Sequence, residues 1–470
     1  MDSMDKIVTG LPVCFLLFTG LPLSAQESSE IVSRPNVIYI MADDLGIGDL
    51  GCYGQRYIKT PGIDSLASNG IRFSQHYSGC TVSAPSRCSL LTGKHTGHSY
   101  IRGNKGVLNE SGHKFDYPLS ANELTIADLF KRHNYATACI GKWGLGGPGT
   151  EGHPNQHGFD YFFGYLGQAN AHSYYPQFLY ENNECIDLHR KVYSHDLIMD
   201  KALSFIEKHS DSPFFLYLSP TIPHADLVLP EGELGEYDGR FAENPYPGPG
   251  YRAQSKPRAT FAAMVSRLDK GVQEVVRLLK DKGIYDNTII IFTSDNGTHV
   301  EGGHDPFAFD SNGAFRGSKR DLYEGGIRTP FIVQWPGHIR AGSVSFHVSA
   351  FWDFMATICD LLSEPVPVSC DGISYLPSLL GKGEQKQHGY LYWEFHEHGG
   401  KQAVLKDNWK LIRLKVDNYP ASTYELYNLS SDPSELMNVS KQYPEKVKML
   451  MELMDEAHVP NKLFPFKNER

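Results

Sequence analysis

Residues 36–46 read NVIYIMADDLG. From Asn36 to Met41 the run is apolar and β-branched without alternation, the pattern of a strand covered on both faces in the middle of a parallel sheet. It stops on two adjacent carboxylates, Asp43 and Asp44. Three more stretches repeat this design: Thr288 to Phe292 ends in Ser294-Asp295-Asn296-Gly297, Phe214 to Leu218 runs into Pro220-Thr221-Ile222-Pro223-His224, and Tyr135 to Ile140 leads into Gly141-Lys142-Trp143. Apolar residues spaced by three and four predict helices over 122–133, 194–209, 260–282 and 348–362. Strand and helix in alternation predict an α/β fold with a large, mostly parallel sheet flanked by helices. Ligands of such folds bind beyond the carboxyl ends of the strands. A single Asp after a strand is more often a turn residue than a ligand. Four strand ends carrying Asp43, Asp44, Asp295, Asn296, Lys142 and His224 are together candidates for one site.

The whole chain sets outer bounds. With 41% hydrophobic and 21% charged residues over 470 positions, it is globular rather than disordered, and long enough for a large core with a smaller domain beside it. A net charge of −10 and the lack of a dense Lys/Arg run argue against a nucleic-acid partner. Residues 1–25 combine Lys6, an apolar run through Cys14 to Phe18 and Leu23-Ser24-Ala25 before Gln26, which reads as a secretory signal peptide. The remainder has no stretch apolar enough to span a bilayer. The expected location is therefore outside the cytoplasm. The remaining cysteines are scattered and odd in number, compatible with one or two disulfides but with no legible framework.

Carboxylates without thiolates suit a hard, oxygen-preferring cation, Ca2+ or Mg2+, better than zinc. An anion site lies in CTVSAPSRCSLLTGKHTGH, residues 80–98. Pro85 fits the first turn of a helix, with Ser83 at or near its cap and Arg87 one turn on. A helix N-terminus with an arginine beside it binds anions.

Ser83-Ala84-Pro85-Ser86-Arg87 followed by Leu91-Thr92-Gly93-Lys94 resembles the signature of the type I sulfatases, which belong to the alkaline-phosphatase-like superfamily. The resemblance covers nearly the whole mature chain. It implies that Ser83 is oxidised after translation to formylglycine, and that Asp43, Asp44, Asp295 and Asn296 hold one Ca2+ with residue 83. It places Lys142 and Lys319 on the sulfate-binding lysines, the latter within Arg316-Gly317-Ser318-Lys319, and His224 on the leaving-group histidine. The implied chemistry is hydrolysis of a sulfate ester. A serine hydroxyl attacking sulfur would leave a stable ester, whereas a hydrated aldehyde attacks with one hydroxyl and expels sulfate through the other. The cation would polarise the reacting oxygens, Arg87, Lys142 and Lys319 would balance charge, and His224, as imidazolium, would protonate the departing oxygen. The serine form of the signature resembles that of anaerobic bacteria, implying a radical S-adenosylmethionine maturase as a partner and, with the signal peptide, a periplasmic or secreted location.

One departure stands out. Many relatives carry a histidine two residues after the lysine, as base for sulfate expulsion, but Lys142-Trp143 is followed here by Gly144. His172 and His98 are the candidate replacements, with His172 preferred for its aromatic surroundings.

After residue 380 the pattern changes to short strands around Tyr390, Gln402, Trp409 and Tyr424 and a helix from about Glu445 to His458. The expected division is a catalytic domain over 26–380 and an antiparallel-sheet subdomain over 381–470. The polar loop Glu394 to Gln402 suggests a sugar-binding rim through His396 and Glu397, while Arg102, Asn104, Asp226 and His304 follow site motifs and could contact substrate. Gly146 to Phe163 and Gly303 to Lys319 resemble exo-acting bacterial carbohydrate sulfatases, which implies a glycan bearing sulfated galactose or N-acetylgalactosamine, with the 4-position the expected ester. Two alternatives stay open: a phosphomonoesterase or phosphodiesterase of the same superfamily using unmodified Ser83, and a non-catalytic sulfated-glycan-binding pseudoenzyme.

Overall fold

In the computed structural model, which describes residues 34–108, 112 and 114–469, the apolar run from Asn36 forms the strand Asn36–Ala42, buried along its whole length. The proposed signal peptide lies outside the described residues. A ten-stranded sheet runs, edge to edge, through Ser343–Ser345, Ile71–Phe73, Phe331–Gln334, Thr288–Ser294, Asn36–Ala42, Phe214–Ser219, Ala136–Lys142, Tyr161–Tyr165, Phe178–Glu181 and Glu184–Asp187. Its centre is parallel: Asn36–Ala42 pairs with both Thr288–Ser294 and Phe214–Ser219, and Ala136–Lys142 joins on the far side. Antiparallel pairs sit towards the edges.

Register brings the strand ends together. Ala42 lies opposite Ser294 and Ser219 opposite Gly141, so Asp43, Asp295, Lys142 and the turn before His224 leave the sheet on one side. Helices cover both faces. Pro257–Asp281 begins with proline in its first turn and buries Phe261, Val265, Leu268, Val272, Val275 and Leu279, a helical stripe against the sheet. Val37 and Tyr39 face the opposite layer, with Leu129, Phe130 and Phe354. Each fully buried aliphatic contributes about 1.5–3 kcal/mol, so this doubly covered sheet is a rigid base for whatever its strand ends carry.

The helix Ser83–Thr92 ends at Gly93, whose φ of +69° reverses the chain in a conformation that favours glycine. Strands Leu391–Phe395, Lys401–Lys406, Trp409–Leu414 and Thr423–Asn428 form a separate antiparallel sheet, followed by the helix Pro444–Ala457. Trp393, Phe395 and Tyr427 from this sheet pack with Tyr77, Cys80, Val82 and Trp352. The small sheet thus buttresses the approach to Ser83. Among the described residues Cys52, Cys80, Cys88, Cys139, Cys185, Cys359 and Cys370 are all free thiols, and no helix is long and apolar enough to cross a membrane.

Candidate active site

Ser83 is the first residue of its helix, and the N-cap is Val82, with no side-chain capping bond. The serine does not cap because its hydroxyl is engaged elsewhere: Oγ lies 3.3 Å from Asp43 Oδ1 and accepts from Lys142 Nζ at 3.1 Å. Ser86 fixes the helix to the sheet by donating to the Asp295 carbonyl at 2.6 Å. One turn on from Ser83, Arg87 is wholly buried and donates to Asp295 Oδ2 and to the Lys142 carbonyl, each at 2.9 Å. Burial works against its charge, but Tyr217, Asp295 and Asp43 outweigh that and hold its pKa above the ordinary arginine value.

Oxygen ligands gather beneath. Carboxylate oxygens of Asp43, Asp44 and Asp295 lie within 4.8 Å of one another, all buried. Asp44 sits at φ +62°, a left-handed conformation uncommon outside glycine, and its N–H donates to Asp295 Oδ1 at 3.0 Å. Asn296 donates through Nδ2 to Asp44 Oδ1 at 2.7 Å, while its own Oδ1 is buried without a hydrogen-bond partner. A buried orphan acceptor beside three carboxylates is costly unless something positive meets it. The donor set is all oxygen, which fits a hard divalent cation. Burial, and then the charge of Asp43, pushes the Asp295 pKa up, as expected where carboxylates crowd together.

Cations balance this charge. Lys142 Nζ donates to both oxygens of Asp43, at 2.9 and 2.7 Å. Lys319 Nζ contacts Asp44 Oδ2 at 2.7 Å and Glu301 Oε2 at 3.0 Å. Burial would lower the Lys319 pKa, yet Asp44, Glu301 and Asp43 raise it above its ordinary value. His224 differs from the imidazolium expected of it. Burial, then the charges of Lys319, His172, Lys142 and His299, push its pKa far below the histidine range. Its Nδ1 bonds to the Ala225 carbonyl and its Nε2 lies 3.0 Å from Lys319 Nζ, the arrangement of a neutral ring accepting from an ammonium.

A cavity of about 160 Å³ opens over these groups, lined by Ser83, His224 and Lys319 together with Asn104, Gln168 and His172. That is smaller than the ~300–1,000 Å³ of sites that enclose a whole drug-sized ligand, which suits a site closing on one group of a larger substrate. His172 stacks on His224 with ring centroids 4.7 Å apart, and burial followed by the cations Lys142 and Lys319 pushes its pKa down to about 4. Asn104 accepts from the Ala84 N–H at 3.2 Å, at the start of the signature helix.

Other expected substrate contacts are placed elsewhere. Arg102 is 2% exposed and bonded to Glu394 Oε1 at 2.9 Å, so its charge is committed inside the protein. His396 bonds to the same carboxylate at 2.8 Å, and Glu397 is half-buried on the adjacent hairpin without lining the cavity. His304 is buried, stacked on Phe261 at 3.6 Å and bonded to Thr298. Asp226 belongs to a separate, larger hollow of about 550 Å³, lined also by Ser173 and Arg252, where it accepts the Arg252 N–H at 2.8 Å. His98 pairs with Asp371 at 2.8 Å. The polar rim read from residues 394–402 is thus largely an internal network: Glu394 also takes bonds from Tyr392 and His458.

The sequence reading missed Glu301, Arg320 and Tyr251. Glu301 ties Lys319 to Arg320 at 3.0 and 2.6 Å, and Arg320 and Tyr251 line the cavity. Arg320 follows Lys319 directly, and Glu301 lies on the loop that leaves Asn296, which was the available signal.

Against known proteins, the sulfatase family model matches residues 35–364, and one described as N-sulphoglucosamine sulphohydrolase, C-terminal, matches 313–459. An N-acetylgalactosamine-6-O-sulfatase of Bacteroides thetaiotaomicron is 31% identical, with 97% of this chain and 99% of that protein aligned. A solved 6S-sulfatase from work on glycosaminoglycan metabolism by the same bacterium superposes with a TM-score of 0.73 at 28% identity, over 90% of this chain and 99% of that one. Ps i-CgsB, in complex with k-i-k-neocarrahexaose, superposes at 0.75 and 28% identity, over 90% and 92%. With a matching family over most of its length and its polar strand ends gathered around Ser83, the chain belongs to the sulfatase family, sulfuric ester hydrolases of the alkaline-phosphatase-like fold.

Proposed function

We propose that the protein is an exo-acting carbohydrate sulfatase that removes sulfate from galactose or N-acetylgalactosamine in a glycan, using a formylglycine made from Ser83. The observation carrying this is the Ser83 hydroxyl held between Asp43 and Lys142 at the mouth of a buried, charge-balanced site. An aldehyde at residue 83, once hydrated, supplies the oxygen that attacks sulfur and a second oxygen through which sulfate is released. Asp43, Asp44, Asp295 and Asn296 would hold Ca2+, with Mg2+ as the other hard candidate, and the ion would polarise oxygens at the sulfur centre.

The chain's own residues do the rest. Arg87, Lys142 and Lys319 would offset the charge of a sulfate in a desolvated site, with Lys319 lining the cavity and Lys142 reaching Ser83 Oγ. Lys319 shares a proton with His224 Nε2, so the pair together can deliver that proton to the departing sugar oxygen. His172, whose pKa burial and then Lys142 and Lys319 push down to about 4, is assigned the base role that Gly144 leaves empty. Conversion of Ser83 requires a maturase, of the radical S-adenosylmethionine type on the serine form of the signature. The amino-terminal 25 residues direct the protein to the periplasm or beyond, and 26–380 and 381–470 serve as catalytic domain and supporting subdomain.

The relatives named for N-acetylgalactosamine sulfatase activity act at the 6-position, which moves the proposed ester from the 4-position to the 6-position. A panel of defined sulfated monosaccharides tests this. Release from N-acetylgalactosamine or galactose 6-sulfate, at a kcat/KM well above the 4-sulfates and glucose-type sugars, is expected. Preference for another sugar or position sinks the substrate assignment while leaving the sulfatase chemistry intact.

A further inference from the structure

The space beside Lys142 and Trp143 is filled. Gly144 has φ +79°, and a Cβ built on it would lie 2.3 Å from Gln168 Nε2 and 3.1 Å from Gln168 Cδ. The glutamine side chain therefore occupies the volume that any side chain at 144 would need. Two backbone bonds hold the two segments together, from Trp143 N to Tyr165 O at 2.9 Å and from Gly144 N to Leu166 O at 3.1 Å. Gln168 is anchored by its own N–H, which donates to Asp116 Oδ2 at 2.7 Å. Gln168 is among the residues lining the cavity with Ser83, His224 and Lys319, and its Nε2 is buried with no hydrogen-bond partner. Buried amide donors nearly always have partners. An unmatched donor on a residue of the cavity wall is ready for an acceptor that arrives with a ligand.

We infer that Gln168 is a further sulfate ligand, its carboxamide N–H donating to a sulfate oxygen, and that it takes the place of a side chain at 144. The inference rests on the sulfatase reading for the identity of the ligand. Sulfate offers acceptors only, so the amide turns its NH2 edge inward. A carboxamide cannot accept a proton at neutral pH. Residue 168 thus binds and orients, and the base function stays with another group, consistent with His172 arriving on the same short loop in the turn Asn170–His172.

The test is calorimetric titration of inorganic sulfate into calcium-loaded full-length protein, alongside kcat and KM on a cleavable sulfate ester. Gln168→Leu should weaken sulfate roughly tenfold or more, the loss of one hydrogen bond to a charged acceptor. Near-isosteric Gln168→Glu should weaken it further, because its carboxylate repels the anion. Gly144→Ala, which leaves Gln168 intact but displaces its amide, should reproduce the loss and covers the case in which the Gln168 variants misfold. Wild-type affinity in these folded variants, or equal losses in the Leu and Glu forms, would overturn the assignment. Failure of wild-type protein to hydrolyse any sulfate ester would count against the sulfatase reading instead, since the titration reads binding independently of turnover.

Discussion

Lys319 Nζ lies 3.0 Å from His224 Nε2 while also touching Asp44 Oδ2 at 2.7 Å. Both residues line the cavity, and the neighbouring imidazole of His172 stacks on His224 with ring centroids 4.7 Å apart. Under the proposed mechanism, leaving-group protonation falls to His224 with Lys319 and sulfate release to His172, adjacent rings with different partners.

His224→Ala should therefore lower kcat on a sugar sulfate by about 10²–10⁴ and far less on an aryl sulfate whose phenol departs without help. His172→Ala should slow both substrates alike, with substrate binding retained, because release of sulfate does not depend on the alcohol. Parallel steady-state assays on the two esters make the comparison. Equal losses for His224→Ala on both esters would remove it from leaving-group protonation, and unchanged turnover in His172→Ala would end its role as base.

Chelation tests the oxygen cluster. Treatment with EGTA should abolish activity, and added calcium should restore it. The calcium-loaded form should also be the more stable, by about 2.7 kcal/mol at a free concentration one hundred times the Kd. Asn296→Leu keeps the volume but removes the orphan acceptor, so it should raise the calcium needed for half-maximal activity. Full activity in chelator-treated protein whose calcium content is verified as nil would contradict the metal assignment.

The Glu394 network predicts a pH signature away from the active site. Burial would raise the Glu394 pKa, but His396, His458 and Arg102 hold it well below the carboxylate range. Burial likewise opposes the charge of His458, and Glu394 and Glu469 reverse that and raise its pKa. A group bound to its proton more tightly when folded contributes stability fully below its unfolded pKa, ~6.5 for histidine. That contribution is lost as pH rises through the folded value. The difference in thermal midpoint between wild type and His458→Gln should therefore be largest near pH 6 and shrink towards pH 9. Parallel curves would show that the pair carries no such linkage.

Much of this architecture was legible in the chain because the chemistry follows unbroken apolar strands. Asn36–Ala42 could be read as a central strand from its β-branched run, and so Asp43 and Asp44 could be placed at a strand end. The family was legible through the signature around Ser83 and Arg87, which falls on the helix Ser83–Thr92 within the matched region. What could not be read was which polar side chains spend themselves internally. Arg102 and His396 look like substrate contacts in sequence, and only the packing of the small sheet shows both bonded to Glu394. Ser83 looks like a helix cap because the cap position depends on whether its hydroxyl turns back to the backbone or out to Asp43. Gln168 carries no motif at all. Its significance comes from a glycine twenty-four residues earlier in the chain, and only in space are they adjacent.

The central claim is that residue 83 acts as an aldehyde rather than as serine. Peptide mass spectrometry across Ser83, on active protein from its native source or from a host supplying the maturase, measures this directly. The expected result is a loss of two hydrogens relative to the encoded serine, with a hydrazide-reactive carbonyl at that residue and activity in proportion to its occupancy. Fully active protein carrying unmodified Ser83 would contradict the account.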